Sequence, residues 1–168
     1  MIRRAAATDH QWIVELASEV YRDLGDYGSI IPGWLEHSGV LPYIAESGGH
    51  RQGFILVGFY VPSDAPRGAL VADLLAIAVE PEFQRQGLGR GLLDYAIELA
   101  EIAGRSNFVP QIRLTVAETN IPGQKLFRSA GFVVLNHEHG NYDGGQRAIR
   151  MQRPMPSVVV EEEALSGV

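Results

Sequence analysis

Two glycines spaced by one residue, Gly87 and Gly89, interrupt the stretch AVEPEFQRQGLGRGLL, residues 78–93, where an apolar run gives way to a helical pattern. A strand ending at Val79 followed by this turn would expose backbone N–H groups at a helix N-terminus, where the helix dipole favours negative charge. Glycine lets the backbone approach a ligand closely, and Arg85 and Arg90 add positive charge. The stretch predicts an anion site suited to phosphate, and a ligand-free strand-to-helix connection is the alternative.

The known phosphate-binding motifs with other spacings fit this turn poorly. No Gly-Lys-Ser/Thr follows it, so it is not a Walker A loop. Glycines at 87, 89 and 91 do not have the G-x-G-x-x-G spacing of dinucleotide-binding folds. Nucleotide folds of these two kinds are therefore disfavoured.

Asp73 is the first candidate for proton transfer, because it interrupts the apolar run ALVADLLAIAV, residues 69–79. An unpaired carboxylate in a central strand is costly to bury, so it should be either paired or functional. A satisfied structural carboxylate and an exposed strand end are the alternatives.

Four further polar residues come late in the chain. His137 and His139 alternate on a predicted strand, so both could face one side, although surface histidines are the commoner case. Tyr142 is a candidate general acid that reaches a cleft only if the terminal hairpin folds over it. Glu118 is expected to be a solvated loop residue. No cluster indicates a metal site, so we expect no metal cofactor.

Composition excludes several classes of protein. The chain has 168 residues, 46% hydrophobic and 20% charged, as expected for one globular domain. It has no cysteine, which excludes disulfides, thiolate metal sites and a cysteine nucleophile. The net charge of −6 argues against nonspecific nucleic-acid binding and mildly favours a cationic substrate.

The sequence contains neither an apolar segment behind the N-terminal arginines nor any run approaching the ~18 apolar residues of a membrane span. We therefore expect a cytoplasmic protein that does not bind membranes.

The hydrophobic patterns predict the element order β-α-α-β-β-β-α-β-α-β-β, an α/β fold with a mixed sheet. Asp9 is a candidate cap for the first helix and Asn120 for the last, and the helix after the glycine turn spans about Gly87 to Ala103. The last two strands form a hairpin across the sequence DGG. Tyr27 and Trp34 lie in a glycine-rich segment, residues 25–39, which either covers a ligand or packs on the core.

The stretch LLAIAVEPEFQRQGLGRGLL resembles the acetyl-CoA-binding signature of the GNAT superfamily of N-acetyltransferases, with Gln84, Gly87 and Gly89 at the defining positions. Downstream, LTVAETNIPGQKLFRSAGF resembles the second signature of the family, in which Asn120 precedes a helix that ends before Gly131. The resemblance covers roughly residues 70–133. It implies a single GNAT-like domain over residues 1–155, with about seven strands and two central strands that splay apart to hold acetyl-CoA.

The resemblance also assigns cofactor contacts. The pantetheine arm would bond to the strand backbone, and the pyrophosphate would take the N–H groups of the turn. Asn120 would contact the pantetheine or order its neighbours, and Phe127 would lie beside the sulfur. The implied cofactor-binding residues are Ile77, Ala78, Val79, Arg85, Gln86, Gly87, Leu88, Gly89, Arg90, Asn120 and Phe127.

The chain departs from the family at two catalytic positions. It most resembles the N-terminal acetyltransferases of ribosomal proteins, in which a glutamate acts as base and a tyrosine as acid. Thr115 and Phe127 occupy those positions here. Asp73 and Tyr142 are therefore our candidate catalytic residues, with a histidine or a water-only route as alternatives.

The resemblance implies an acetyl-CoA-dependent N-acetyltransferase that acts on a primary amine of a small molecule or of a peptide N-terminus. A different acyl group or acceptor is one alternative. A noncatalytic acyl-CoA-binding module is the other, favoured by Thr115 and Phe127.

The C-terminal tail, residues 156–168, contains the β-prone run Val158 to Val160. Such a run can add to an exposed sheet edge, including that of a second copy. The sequence therefore suggests a homodimer as a hypothesis.

Overall fold

The protein is described by a computed structural model over residues 1–63 and 68–156. A seven-stranded sheet forms its centre, in the order β1-β2-β3-β4-β5-β7-β6. Among the seven strands of the described residues, β4 and β5 are the one parallel pair. The strands are β1 (Ile2–Arg4), β2 (Val40–Ser47), β3 (His50–Tyr60), β4 (Val71–Val79), β5 (Gln111–Ala117), β6 (Val133–Asn136) and β7 (Ala148–Pro154). The helices are α1 (His10–Val20), α2 (Tyr27–Glu36), α3 (Leu88–Gly104) and α4 (Ile121–Ser129).

This element order is the predicted one, and the mixed α/β fold is confirmed. The two faces of the sheet carry separate apolar clusters. One contains Leu92 and Phe127 from α3 and α4, and the other contains Ile13 and Ile31 from α1 and α2. The central strand β4 contributes to both, as its nearly continuous apolar sequence predicted.

An extra residue in β4 changes the face of its side chains partway along. Leu56 of β3 pairs with Ala76 and Val57 pairs with Leu74, so Leu75 forms a bulge. Leu74 packs with α3 and α4, whereas Ala76 packs with α1 and α2. After the bulge, the alternation of side chains along β4 is therefore reversed between the two faces of the sheet.

Asp9 does not cap α1 through its side chain, contrary to the prediction. Its carboxylate accepts hydrogen bonds from Arg3 Nη1 at 2.7 Å, Arg51 Nε at 2.7 Å and the N–H of Ala6 at 2.8 Å. The side chain is 2% exposed. The hydrogen bond from Arg3, with smaller effects of Ala6 and Arg51, holds the pKa of Asp9 well below its usual range.

We expect Asp9→Ala to lower the free energy of unfolding at pH 7 by ~2 kcal/mol or more, because it removes the charge-assisted hydrogen bonds that this buried carboxylate accepts from the partly exposed Arg3 and Arg51. The lowered pKa means that the carboxylate stabilises the fold above pH ~4, and that this stabilisation is lost as the pH falls. Urea unfolding at several pH values measures both effects. Asp94→Ala, which breaks the exposed Arg90–Asp94 pair, should cost only ~0.5 kcal/mol; equal costs would contradict the role of Asp9.

None of the helices within residues 1–63 and 68–156 is both long and apolar enough to cross a membrane. Residues Val158 to Val160, on which the homodimer hypothesis depends, lie outside the described residues. That hypothesis, and the division of the chain at residue 155, stay predictions.

Candidate active site

The parallel pair β4 and β5 forms a wedge. The strands are paired only from Ala72 to Leu74 and from Ile112 to Leu114. Beyond this point β4 continues to Val79 and β5 continues to Ala117, but the two strands no longer pair with each other. The backbone of each strand therefore has one edge without a neighbouring strand.

A cavity of about 420 Å³ occupies this wedge. Leu74 to Ile77 and Leu114 to Ala117 form its base. Around them lie Tyr21, Leu24, Tyr27 and Trp34 from the first helical pair, Asn120 and Phe127 from α4 and its start, and His139, Asn141 and Tyr142 from the β6–β7 connection. The volume is in the range of small-molecule sites, ~300–1,000 Å³.

Tyr21 bonds to the free edge of β4. Its hydroxyl donates to the carbonyl of Ile77 at 2.6 Å and accepts from the N–H of Ile77 at 3.0 Å. Burial raises the pKa of Tyr21 to about 12, so the hydroxyl is protonated at neutral pH. Since backbone groups alternate along a strand, Ile77 and Val79 direct theirs toward the wedge, whereas Ala78 directs its groups toward β3.

The glycine turn connects the end of β4 to α3. Gly87 has φ of +84° and precedes α3 with no capping side chain. The N–H of Gly91 makes the first helical bond, to Gly87, so the N–H groups of Leu88, Gly89 and Arg90 precede the helical ladder. A Cβ at Gly89 would contact only Leu126 Cδ2, at 3.6 Å. The described structure thus presents a helix N-terminus with uncapped donors at the end of the wedge.

The polar side chains of the turn have different roles. Gln84 Nε2 donates to the carbonyl of Val79 at 3.0 Å and so anchors the turn to the strand. Arg90 bonds to Asp94 at 2.8 Å and to Ser129 Oγ at 3.0 Å. Arg85 is exposed and has φ of +62°. Arg85 is therefore better placed than Arg90 to offer a cation to an anion at the turn.

Asn120 caps α4 as predicted, because its Oδ1 accepts from the N–H of Gly123 at 2.9 Å. Phe127 lines the cavity and packs edge-on against Phe132, with ring centroids 6.2 Å apart. Phe127 has no group that could transfer a proton. Both residues line the cavity, and their contacts with a cofactor stay predictions.

Asp73 lies at the closed end of the wedge and is 14% exposed. Tyr60 donates to Asp73 Oδ2 at 3.1 Å, and Arg113 Nε lies 3.5 Å from the same oxygen. That separation is too long for a good hydrogen bond. Burial raises the pKa of Asp73 to about 6, and the charge of Arg150 acts in the opposite direction. A carboxylate with this pKa can accept a proton near neutral pH.

Tyr142 does reach the cavity, because the β6–β7 connection folds against the loop after α1. Gln146 Nε2 donates to the carbonyl of Asp23 at 2.9 Å, and the N–H of Gly144 donates to Leu24. Burial raises the pKa of Tyr142, which keeps its hydroxyl protonated. Tyr142 is therefore a protonated phenol among the residues that line the cavity.

One expectation about the end of the chain was wrong. Strand β6 ends at Asn136, so His137 and His139 do not alternate on a strand, and of the two only His139 lines the cavity. Glu118 is a solvated turn residue as expected, with a side chain that is 40% exposed, and it pairs with Arg147 at 3.2 Å.

A model of the acetyltransferase (GNAT) family matches residues 6–132. The chain belongs to the GNAT family of acetyltransferases. This confirms the identification from the two signatures. The [ribosomal protein bS18]-alanine N-acetyltransferase of Escherichia coli strain K12 is 37% identical over 87 residues, which are 50% of this chain and 56% of that protein. The chain thus spans about half the length of the curated relatives it matches.

Solved GNAT structures share the whole fold. The ribosomal-protein-S18-alanine N-acetyltransferase from Escherichia coli is 26% identical with a TM-score of 0.68, and the alignment covers 96% of this chain and 97% of that one. The yncA structure from Salmonella typhimurium, solved with its cofactor acetyl-CoA, is 21% identical with a TM-score of 0.73, covering 94% of each chain.

Sequence reasoning missed three residues of this GNAT site. Tyr21 bonds to Ile77, 56 positions away, and Arg113 contacts both Asp73 and the hydroxyl of Tyr60. The segment of Tyr27 and Trp34 had been singled out, and both side chains line the cavity. Tyr27 also packs on Tyr21, with ring centroids 4.8 Å apart.

The described residues contain no group of three His, Cys, Asp or Glu side chains that could hold a metal ion.

Proposed function

We propose that this GNAT protein is an acetyl-CoA-dependent N-acetyltransferase acting on a primary amine. The observation that carries the proposal is the uncapped N-terminus of α3 at the end of a wedge in which the β4 edge has no neighbouring strand. An amide-containing arm that ends in a pyrophosphate matches this arrangement, because the amides extend the ladder and the phosphates meet the helix dipole.

The residues of the chain fit the parts of the cofactor. Ile77 and Val79 would bond to the pantetheine amides, and Ala78 would contribute the packed strand between them. The N–H groups from Gln86 to Arg90 would hold the pyrophosphate, with Arg85 adding charge. Asn120 would order the start of α4 beside the pantetheine, and Phe127 would pack against the sulfur end.

When bound, acetyl-CoA supplies an activated thioester for direct attack by the amine. Asp73 would accept a proton from the substrate ammonium before attack, or from the neutral amine as it attacks, directly or through water. Tyr142 would donate a proton to the departing thiolate, whose conjugate thiol has a pKa near the ~8.5 of cysteine. The backbone N–H groups of β4 would stabilise the negative charge that develops on the carbonyl oxygen.

The acceptor is a small-molecule amine or a peptide N-terminus. The name of the Escherichia coli relative specifies the alanine of a ribosomal protein, which supports the second class. Calorimetric titration with acetyl-CoA, followed by a thiol-release assay over both classes of amine, tests the proposal. Binding followed by amine-dependent release supports an enzyme, whereas binding without release favours a noncatalytic module. Release only from another acyl-CoA indicates a different acyl donor.

We expect Tyr21→Phe to strengthen acetyl-CoA binding by about 5- to 10-fold, because its hydroxyl occupies the backbone groups of Ile77 that the pantetheine would use. Titration calorimetry measures this. Tyr27→Phe, which changes the ring packed on Tyr21 without touching Ile77, is the matched control. Weaker binding by Tyr21→Phe alone would show that the hydroxyl assists the cofactor.

A further inference from the structure

Two arginines share one face of the sheet with the candidate base. Asp73 is opposite Arg113 in the β4–β5 ladder, and Thr115 is opposite Arg150 in the β5–β7 ladder. Directly opposed residues project from the same face of a sheet. Because residues two apart on β5 also share a face, all four side chains project to one side at the base of the wedge.

This group of side chains has more positive than negative charge. Arg150 makes no ion pair or side-chain hydrogen bond with any described residue, and its Nε is buried. Arg113 Nε is also buried without a hydrogen bond, but its Nη2 donates to the hydroxyl of Tyr60 and its charge pairs with Asp73. Burial and Arg150 lower the pKa of Arg113, and burial followed by both arginines lowers the pKa of His139. Buried charges are normally paired, so one carboxylate for two partly buried guanidinium groups leaves Arg150 without an anion among the described residues.

The charge lies beside the reaction site. Asp73, Thr115 and His139 all line the cavity. Asp73 pairs with Arg113, Thr115 is opposite Arg150 on the neighbouring strand, and burial together with the charges of both arginines lowers the pKa of His139. The two arginines are not themselves among the residues that line the cavity, so an anion that they hold would lie at its edge, on the same face of the sheet as Asp73. The planar guanidinium fork matches a carboxylate, which has two oxygens in one plane.

We propose that Arg150 and Arg113 form a carboxylate subsite, so that the acceptor carries a carboxylate close to its reacting amine. This inference rests on the proposed acetyltransferase function. A free amino acid and a peptide that begins with Asp or Glu both have this chemistry. The local charge is opposite to the cationic preference that the net charge of the chain suggested.

Matched acceptors test the subsite. Alanine is compared with alaninamide, and the amidated tripeptide Glu-Ala-Ala with Gln-Ala-Ala. We expect kcat/KM to be roughly 10- to 100-fold higher for the carboxylate member of one pair, and which pair shows it identifies the source. Arg150→Gln should remove the preference and Arg150→Lys should restore part of it. Arg147→Gln, an exposed arginine paired with Glu118, should leave it unchanged.

Equal kcat/KM within both pairs for the wild type would overturn the subsite while leaving the proposed function intact. If no amine is acetylated, the proposed function fails, and calorimetry with N-acetylalanine and N-acetylalaninamide decides the subsite separately. The subsite is supported if the protein binds N-acetylalanine but not N-acetylalaninamide, and if Arg150→Gln abolishes that binding. Absence of that binding, or binding that persists in Arg150→Gln with its melting temperature unchanged, would overturn it.

Discussion

Gly89→Asp is expected to weaken acetyl-CoA binding by about 100-fold or more while leaving the fold intact. The fold tolerates the side chain because a Cβ at this position meets only Leu126 Cδ2, at an ordinary contact distance of 3.6 Å. Binding fails because a carboxylate at the N-terminus of α3 occupies the place of the pyrophosphate and repels it. Losing two or three charge-assisted hydrogen bonds accounts for a loss of this size.

Gly91→Asp is the matched control for this variant. It adds the same charge to the same first turn of α3, and a Cβ there meets no atom within 4 Å. Residues two apart lie on different sides of a helix, so the new carboxylate points away from the end of the wedge. Calorimetry with acetyl-CoA, and circular dichroism for the fold, measure both variants. Unchanged affinity in a folded Gly89→Asp protein would refute the pyrophosphate assignment.

Asp73→Asn is expected to lower kcat/KM at pH 7.5 by ~10²-fold or more, the usual contribution of general base catalysis. A base must be deprotonated to act, and burial raises the pKa of Asp73 to about 6. The wild-type rate should therefore rise through pH 6 and level off above it, whereas the variant should lack this limb. Any dependence that arises from the acceptor amine should persist in both enzymes.

The pH profile of kcat/KM measures this effect, with one responsive amine used throughout. Asp143→Asn is the control, because Asp143 is an exposed carboxylate on the β6–β7 connection beside Tyr142. An Asp73→Asn enzyme with the wild-type rate and profile would remove Asp73 from the mechanism. His139 and a water-only route would then be the remaining candidates.

The sequence predicts those features of the site that depend on neighbouring residues. The apolar run of β4, the glycine turn and the cap at Asn120 are local signals, and the structure has each of them at the expected position. Two signatures 30 to 40 residues apart then identify the family. The first contains the turn that follows β4, and the second contains α4, which follows the neighbouring strand β5.

The features that sequence reasoning missed depend on register and on distant contacts. With a strict period of two, Leu74 and Ala76 would share a face, but the bulge at Leu75 places them in different clusters. The pairing of Tyr21 with Ile77 requires α1 to cross the end of β4. Arg150 resembles a solvent-facing strand residue until the β5–β7 ladder places it opposite Thr115.

The structure of the protein in complex with acetyl-CoA tests the assignment of the wedge and the glycine turn to the cofactor. We predict that the pyrophosphate lies within hydrogen-bonding distance of the N–H groups of Leu88 to Arg90. We also predict that the pantetheine bonds to Ile77 and Val79, with the Tyr21 hydroxyl displaced from Ile77. A cofactor bound away from the wedge, or a Tyr21 hydroxyl still bonded to both backbone groups of Ile77, would contradict this account.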